Sequence, residues 1–146
     1  MQYKTQSEQN TIVFALNLAK KFKGGDIILL FGKIGSGKTT LVRGIAQYFG
    51  ISKHIQSPTY VIIKSYKINK HVRTNKVKQL IHIDAYRLNT QSDLEELGIN
   101  ELICDKNNIV IIENPGRLFT NINAKYYLRL VITEPEDRNI DITIDN

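Results

Sequence analysis

Apolar residues fall along this chain in two rhythms, and the changes between them mark out the elements. Ile12, Ala15, Leu16, Ala19 and Phe22 recur at helical intervals behind Thr5-Gln-Ser-Glu8, which has capping-box spacing. The spacing predicts a helix over about residues 7–22, ended by Gly24-Gly25. Asp26 then opens the unbroken run Ile27-Ile28-Leu29-Leu30-Phe31, too short for a helix and typical of a strand covered on both faces of a parallel sheet. Glycines follow at 32, 35 and 37, after which Leu41, Val42, Ile45, Ala46 and Phe49 return to helical spacing as far as Gly50, a natural C′ residue.

Farther on, Tyr60 to Tyr66 is rich in β-branched and aromatic residues, and the chain returns through Leu80-Ile-His-Ile83 after a basic, polar linker. That pattern predicts an antiparallel hairpin with a long basic tip at about residues 67–78. Ser92-Asp-Leu-Glu95 repeats the capping-box pattern and opens a short helix toward Gly98. Ile109-Val-Ile-Ile112 is a second fully apolar strand and ends in Glu113. Tyr126 to Ile132 and Ile140 to Ile144 read as two closing strands around Pro135-Glu-Asp137. The expected architecture is α/β: a single P-loop NTPase domain over residues 1–146, with a mixed, mostly parallel β-sheet flanked by helices and one β-hairpin.

Composition narrows the setting. At 146 residues, 42% hydrophobic and 23% charged, the chain has the size and make-up of one globular domain. No apolar run approaches the roughly 18 residues of a membrane span, and Met-Gln-Tyr-Lys-Thr-Gln-Ser carries no apolar signal region, so a cytoplasmic protein without a membrane or DNA partner is expected. Cys104 is the only cysteine, which excludes an internal disulfide and a cysteine-built zinc site. Its neighbours supply no thiolate activation, so it is read as structural.

The net charge of +6 is unevenly placed. Between Asp26 and Asp84 there is no acidic residue, whereas Lys33, Lys38, Arg43, Lys53, Lys64, Lys67, Lys70, Arg73, Lys76 and Lys78 all lie there. That stretch therefore carries +10 and the remainder −4. Such a field attracts a polyanion: a nucleoside triphosphate, an RNA backbone or an acidic protein surface. Lysines that protect strand edges from aggregation would give the same tally.

The chemistry concentrates at Gly32-Lys33-Ile34-Gly35-Ser36-Gly37-Lys38-Thr39, which matches the phosphate-loop pattern and sits between an apolar strand and a helix. There, backbone N–H groups and the positive helix end surround a phosphate, and glycines permit positive φ and close backbone approach. Lys38 is placed to reach the β- and γ-phosphates, and the Thr39 hydroxyl to coordinate Mg²⁺; Thr40 adjoins them. Ligands gather at the carboxyl ends of parallel strands, where two acids follow short apolar runs: Asp84 and Glu113. Either can hold the metal. Glu113, on the more hydrophobic strand, is assigned to water or to a metal-bound water, and Asp84 to Mg²⁺ in a switch segment. Lys38, Asp84 and Glu113 form the expected catalytic set. The guanine signature Asn-Lys-x-Asp is missing, since Asn69-Lys70-His71-Val72 and Asn75-Lys76-Val77-Lys78 both lack the aspartate. Adenine, and hence ATP, follows by exclusion. His82, alternating with Ile81 and Ile83, reads more readily as a buried strand residue than as a proton carrier. His54 and His71 show no paired ligand pattern.

Taken in order, Gly32 to Thr40, Ser57-Pro-Thr-Tyr60, His82-Ile-Asp-Ala-Tyr-Arg87, Leu97-Gly98 and Ile111-Ile-Glu113 resemble the TsaE (YjeE) family of bacterial ATPases of tRNA threonylcarbamoyladenosine biosynthesis. The resemblance implies a small ATP- and Mg²⁺-dependent protein serving the TsaB–TsaD heterodimer, which transfers threonylcarbamoyl to adenosine 37 of tRNA. It also implies that ATP binding favours docking and that hydrolysis resets the complex. Lys38 and Thr39 match the family's phosphate-loop lysine and metal-binding threonine, Asp84 its switch aspartate, Glu113 its Walker B acid, and Thr59 a switch-like residue close to the γ-phosphate. Tyr86 and Arg87 order the switch, meet a phosphate or, for Arg87, form a surface ion pair. One departure stands out: the family's tryptophan after the glutamate is replaced by Asn114. Contact with tRNA runs through the complex or through the basic hairpin bearing Lys70, Arg73, Lys76 and Lys78.

Two readings of another class use the same loop. A small-molecule kinase would bring an arginine-rich lid, and no such segment is evident; a nucleotide-sensing binding module would hydrolyse only incidentally. With no clear arginine finger, the free chain is expected to be a weak ATPase that a partner completes.

Overall fold

A computed structural model describes residues 2–51, 54–68, 77–134 and 139–145. Residues 69–76, most of the expected basic tip including Lys70, Arg73 and Lys76, lie outside them, as do Lys53 and Pro135-Glu-Asp137. The chain order is β1 (Gln2–Thr5), α1 (Glu8–Ala19), β2 (Ile27–Phe31), α2 (Lys38–Tyr48), β3 (Ile63–Lys67), β4 (Gln79–Asp84), α3 (Gln91–Glu96), α4 (Ile99–Cys104), β5 (Asn108–Glu113), β6 (Tyr126–Glu134) and β7 (Asn139–Asp145). The strands form one sheet in the order β1-β7-β6-β2-β5-β4-β3. Its centre is parallel, β6-β2-β5-β4, and each edge is antiparallel: β3 on β4, and β7 between β6 and β1. The expected mixed sheet with its parallel centre is therefore present, and so is the expected antiparallel pairing of β3 with β4, beside a second antiparallel pair of consecutive strands, β6 and β7.

The central strands are apolar throughout because both faces are covered. Ile28 and Leu30 of β2, Leu80 of β4, and Ile109 and Ile111 of β5 pack with Ala15, Leu18 and Ala19 of α1 and Leu41, Val42 and Ile45 of α2. The alternate residues, Ile27, Leu29, Ile81, Ile83, Val110 and Ile112, face the other way, against Leu94 of α3 and Ile99 of α4. Each such Leu or Ile contributes about 1.5–3 kcal/mol when fully buried. Helices α1 and α2 approach closely at Gly44, where a Cβ would stand 2.6 Å from the Ile12 carbonyl oxygen and 2.7 Å from the Ala15 methyl.

Several boundaries differ from those read in the sequence. Helix α1 is capped by Ser7, whose hydroxyl accepts from the Asn10 amide at 3.1 Å; Thr5 instead ends β1 and pairs with the Thr11 hydroxyl at 2.8 Å. Thr90 and Asp93, rather than Ser92 and Glu95, make the capping box of α3. β1 and α4 had no strong sequence signal. Tyr60 to Ile62 is a turn rather than strand, because the Val61 and Ile62 amides both donate to the Pro58 carbonyl at 2.9 and 2.6 Å. No helix among the described residues is long and apolar enough to cross a membrane.

Candidate functional site

The loop joining β2 to α2 takes the shape its glycines allow. Gly32, Gly35 and Gly37 have φ of 153°, 81° and 93°, values that L side chains rarely adopt. Gly37 caps α2 without any side-chain acceptor, so the first-turn amides of that helix remain available to an outside anion. The loop's surface is its own: Lys33, Ile34 and Gly35 are exposed, Ser36 is buried with its hydroxyl unpartnered, and Thr39 and Thr40 are half-buried. Lys38 folds back beneath the loop, 7% exposed, and its ammonium donates to the Gly32 and Lys33 carbonyls at 2.8 and 3.0 Å. A buried ammonium tethered by two carbonyls holds a positive charge against a cradle of N–H donors.

The acids arrive on neighbouring strands. Glu113 is in register with Leu30 of β2 on one side and Asp84 of β4 on the other, so the ends of three parallel strands meet beside the loop. Strand alternation puts His82, Asp84 and Glu113 on the α1–α2 side of the sheet, together with Leu80, Ile109 and Ile111. Asp84, 4% exposed, is a hub: one carboxylate oxygen accepts from the Thr59 hydroxyl at 2.8 Å, the other from the Tyr86 amide and the Asn114 side-chain NH₂, each at 3.0 Å. Thr59 is in turn 2.8 Å from the Ser57 hydroxyl. The structure thus gathers the Ser57–Thr59 segment, Asp84 and the residue after Glu113 into one network.

Two non-glycine residues with positive φ border that network. Ile62, at 66°, presents its carbonyl to the Asp84 amide at 2.9 Å; Asn114, at 52°, donates its own amide to Leu30 at 3.1 Å. For a β-branched residue such as Ile62 this conformation costs on the order of 1–3 kcal/mol, and such strain collects at functional sites. Arg87 lies with its guanidinium 5.5 Å from the centre of the Tyr60 ring, against the Ser-Pro-Thr-Tyr segment, and among the described residues it forms no ion pair. Asn114 keeps a polar link to Asp84 at the position where the resemblance implied tryptophan.

His82 is fully buried, as its alternation suggests, but its Nε2 stands 2.7 Å from a Glu113 carboxylate oxygen. This contact could not be read from the sequence, since the register between β4 and β5 sets it.

The family model described as threonylcarbamoyl adenosine biosynthesis protein TsaE matches residues 5–141. This chain belongs to the TsaE family. It is 35% identical over 97 residues to a Streptomyces coelicolor protein and 36% identical over 101 residues to one from Bacillus subtilis, both called tRNA threonylcarbamoyladenosine biosynthesis protein TsaE. These matches cover 66% and 69% of this chain, and span 61% and 58% of the relatives' own lengths. The crystal structure of YdiB from Bacillus subtilis superposes with a TM-score of 0.69 at 26% identity, covering 99% of this chain and 83% of that one. The resemblance read from the motifs and the P-loop NTPase fold class both stand.

The donor set fits a triphosphate with a hard divalent cation. Glycine cradle, uncapped helix start, unpartnered Ser36 hydroxyl and Lys38 suit phosphate oxygens. Among the described residues no group of three or more His, Cys, Asp or Glu side chains could hold a metal by itself. A cation here would draw on the Thr39 hydroxyl, one or two acids and phosphate oxygens, the manner in which Mg²⁺ is usually bound.

Proposed function

We propose that this chain binds ATP with Mg²⁺, hydrolyses it slowly alone, and serves a TsaB–TsaD heterodimer in forming threonylcarbamoyladenosine at position 37 of tRNA, in the cytoplasm. The observation that carries the nucleotide reading is the tethering of Lys38 by the Gly32 and Lys33 carbonyls, within a positive-φ glycine loop one strand from Glu113 and two from Asp84. Family membership over residues 5–141 supports the tRNA-modification setting.

In this reading the loop amides and Lys38 bind the phosphate oxygens and offset charge as it develops on the transferring group. Thr39 and Asp84 would hold the metal, and Glu113 orients the attacking water. Bound Mg²⁺ would supply positive charge that offsets the charge developing on the transferring group. Thr59 couples the Ser57–Thr59 segment to Asp84, so a change at the γ-phosphate reaches the protein surface through that network. Of the described arginines, Arg43 pairs with Glu8 and Arg87 lies over Tyr60, so neither is committed to a phosphate, while Arg117 is exposed in the short turn that follows Glu113.

Calorimetric titration with Mg²⁺-ATP tests the reading. Lys38→Ala is expected to weaken binding on the order of 100-fold, since it removes a charge held against the phosphates. Equal affinity in parent and variant overturns it.

A further inference from the structure

Glu113 has its backbone held between Leu30 and Asp84, yet a glutamate side chain keeps three torsions beyond that anchor. His82 is placed to restrict them: its Nε2 is 2.7 Å from the Glu113 Oε1, with side-chain exposures of 0% and 4%. No other described residue hydrogen-bonds the Glu113 carboxylate, whereas Asp84 next to it accepts from three donors. The ring's remaining nitrogen, Nδ1, is buried without a partner. A ring whose only N–H sat on Nδ1 would bury that donor unpaired, whereas a donor on Nε2 is satisfied by Glu113, so the geometry directs an Nε2–H at the Glu113 Oε1.

A histidine is a poor choice for packing alone in this place. It shares its sheet face with Leu80, Ile109 and Ile111, all fully buried, and an aliphatic residue would leave no orphaned nitrogen. Among the described residues its one polar contact is Glu113. We propose that His82 is a positioning residue: it clamps Oε1 of Glu113 through Nε2–H and so fixes the carboxylate plane, leaving the second oxygen for the attacking water. The proposal rests on the reading of the chain as an ATP-hydrolysing protein.

The test compares the parent with His82→Leu and His82→Gln in Mg²⁺-ATP binding and steady-state hydrolysis. Leucine removes the donor; the Gln side-chain NH₂ restores one near the imidazole Nε2–H. For His82→Leu, Kd and KM are expected to stay within about twofold while kcat falls on the order of 10- to 100-fold, as when a reacting group loses its alignment. His82→Gln is expected to recover most of that loss. A His82→Leu variant with the parent's kcat, or a glutamine no better than leucine, overturns the proposal. Nitrogen NMR of the imidazole in the nucleotide-free parent gives a check independent of activity and of the variants' folding: a protonated Nε2 is expected, and a bare Nε2 overturns the clamp. A parent that shows this ring form but hydrolyses no ATP refutes the activity reading and leaves the contact standing.

Discussion

Replacing Asp84 separates two properties that its carboxylate combines, organisation of the network and negative charge. Alanine at 84 leaves the Thr59 hydroxyl, the Tyr86 amide and the Asn114 NH₂ without their acceptor, in a site only 4% exposed. Each hydrogen bond to a charged group contributes about 1.5–3 kcal/mol, partly offset by the desolvation that the carboxylate no longer suffers. The net loss works out at about 3–5 kcal/mol, comparable to breaking a buried polar network. Asparagine behaves differently. Its oxygen can keep the Tyr86 and Asn114 bonds, and its NH₂ can donate to the Thr59 hydroxyl oxygen, whose proton turns to Ser57 at 2.8 Å. All three contacts survive in neutral form, at a cost of about 1 kcal/mol. At roughly 3–4 °C per kcal/mol, Asp84→Ala is expected to melt about 10–20 °C below the parent and Asp84→Asn within about 4 °C. Thermal unfolding followed by circular dichroism, without nucleotide, measures the stability arm. Hydrolysis is expected to fall at least about tenfold in both variants, since neither keeps the charge. Equal melting temperatures for the two variants would refute the hub; parental hydrolysis by Asp84→Asn would refute the need for charge.

Further outcomes follow from packing and from pH. Gly44→Ala gains up to about 1 kcal/mol of helix propensity but places a methyl 2.6 Å from the Ile12 carbonyl, so a net loss of about 1–2 kcal/mol is expected by chemical denaturation; a stabilised variant would contradict the packing. Backbone amides of Asn89 and Thr90 hold the Asp93 carboxyl below its ordinary range, and the Asn107 amide and side chain do the same for Asp105. A depressed folded value means stability present above the unfolded carboxylate pKa near 3.9 and lost as pH falls through the lower folded values. Asp93→Asn is therefore expected to flatten the acid limb of the stability curve, and an unchanged limb would contradict the assignment.

How much of this was legible in the sequence depended on whether a feature was local. β2, the glycine loop and α2 are a continuous segment whose signals agree, and Ile109–Ile112 could hardly be anything but a buried strand. The acids at 84 and 113 could be placed at strand ends, though not beside one another, since the parallel register of β4 and β5 joins segments some thirty residues apart. For the same reason His82 was legible as buried but not as a partner of Glu113. β1 escaped because Gln2-Tyr-Lys-Thr is short and half polar, and its partner β7 comes near the other end of the sequence. α4, six residues long, carries too little periodicity to declare itself. The turn at Tyr60–Ile62 overrides a strong β propensity because Pro58 offers its carbonyl to two successive amides, and Asp84 uses the strained Ile62 carbonyl that results.

The central claim is that the glycine loop binds ATP in the service of tRNA modification, and reconstitution tests it most directly. Threonylcarbamoyl-adenylate, substrate tRNA, ATP, Mg²⁺ and the TsaB–TsaD heterodimer would be combined without this chain, with it, and with Lys38→Ala, and modified adenosine counted per heterodimer. The account predicts many turnovers with the parent and no more than the heterodimer's own yield with the variant. Equal yields in all three reactions would contradict it.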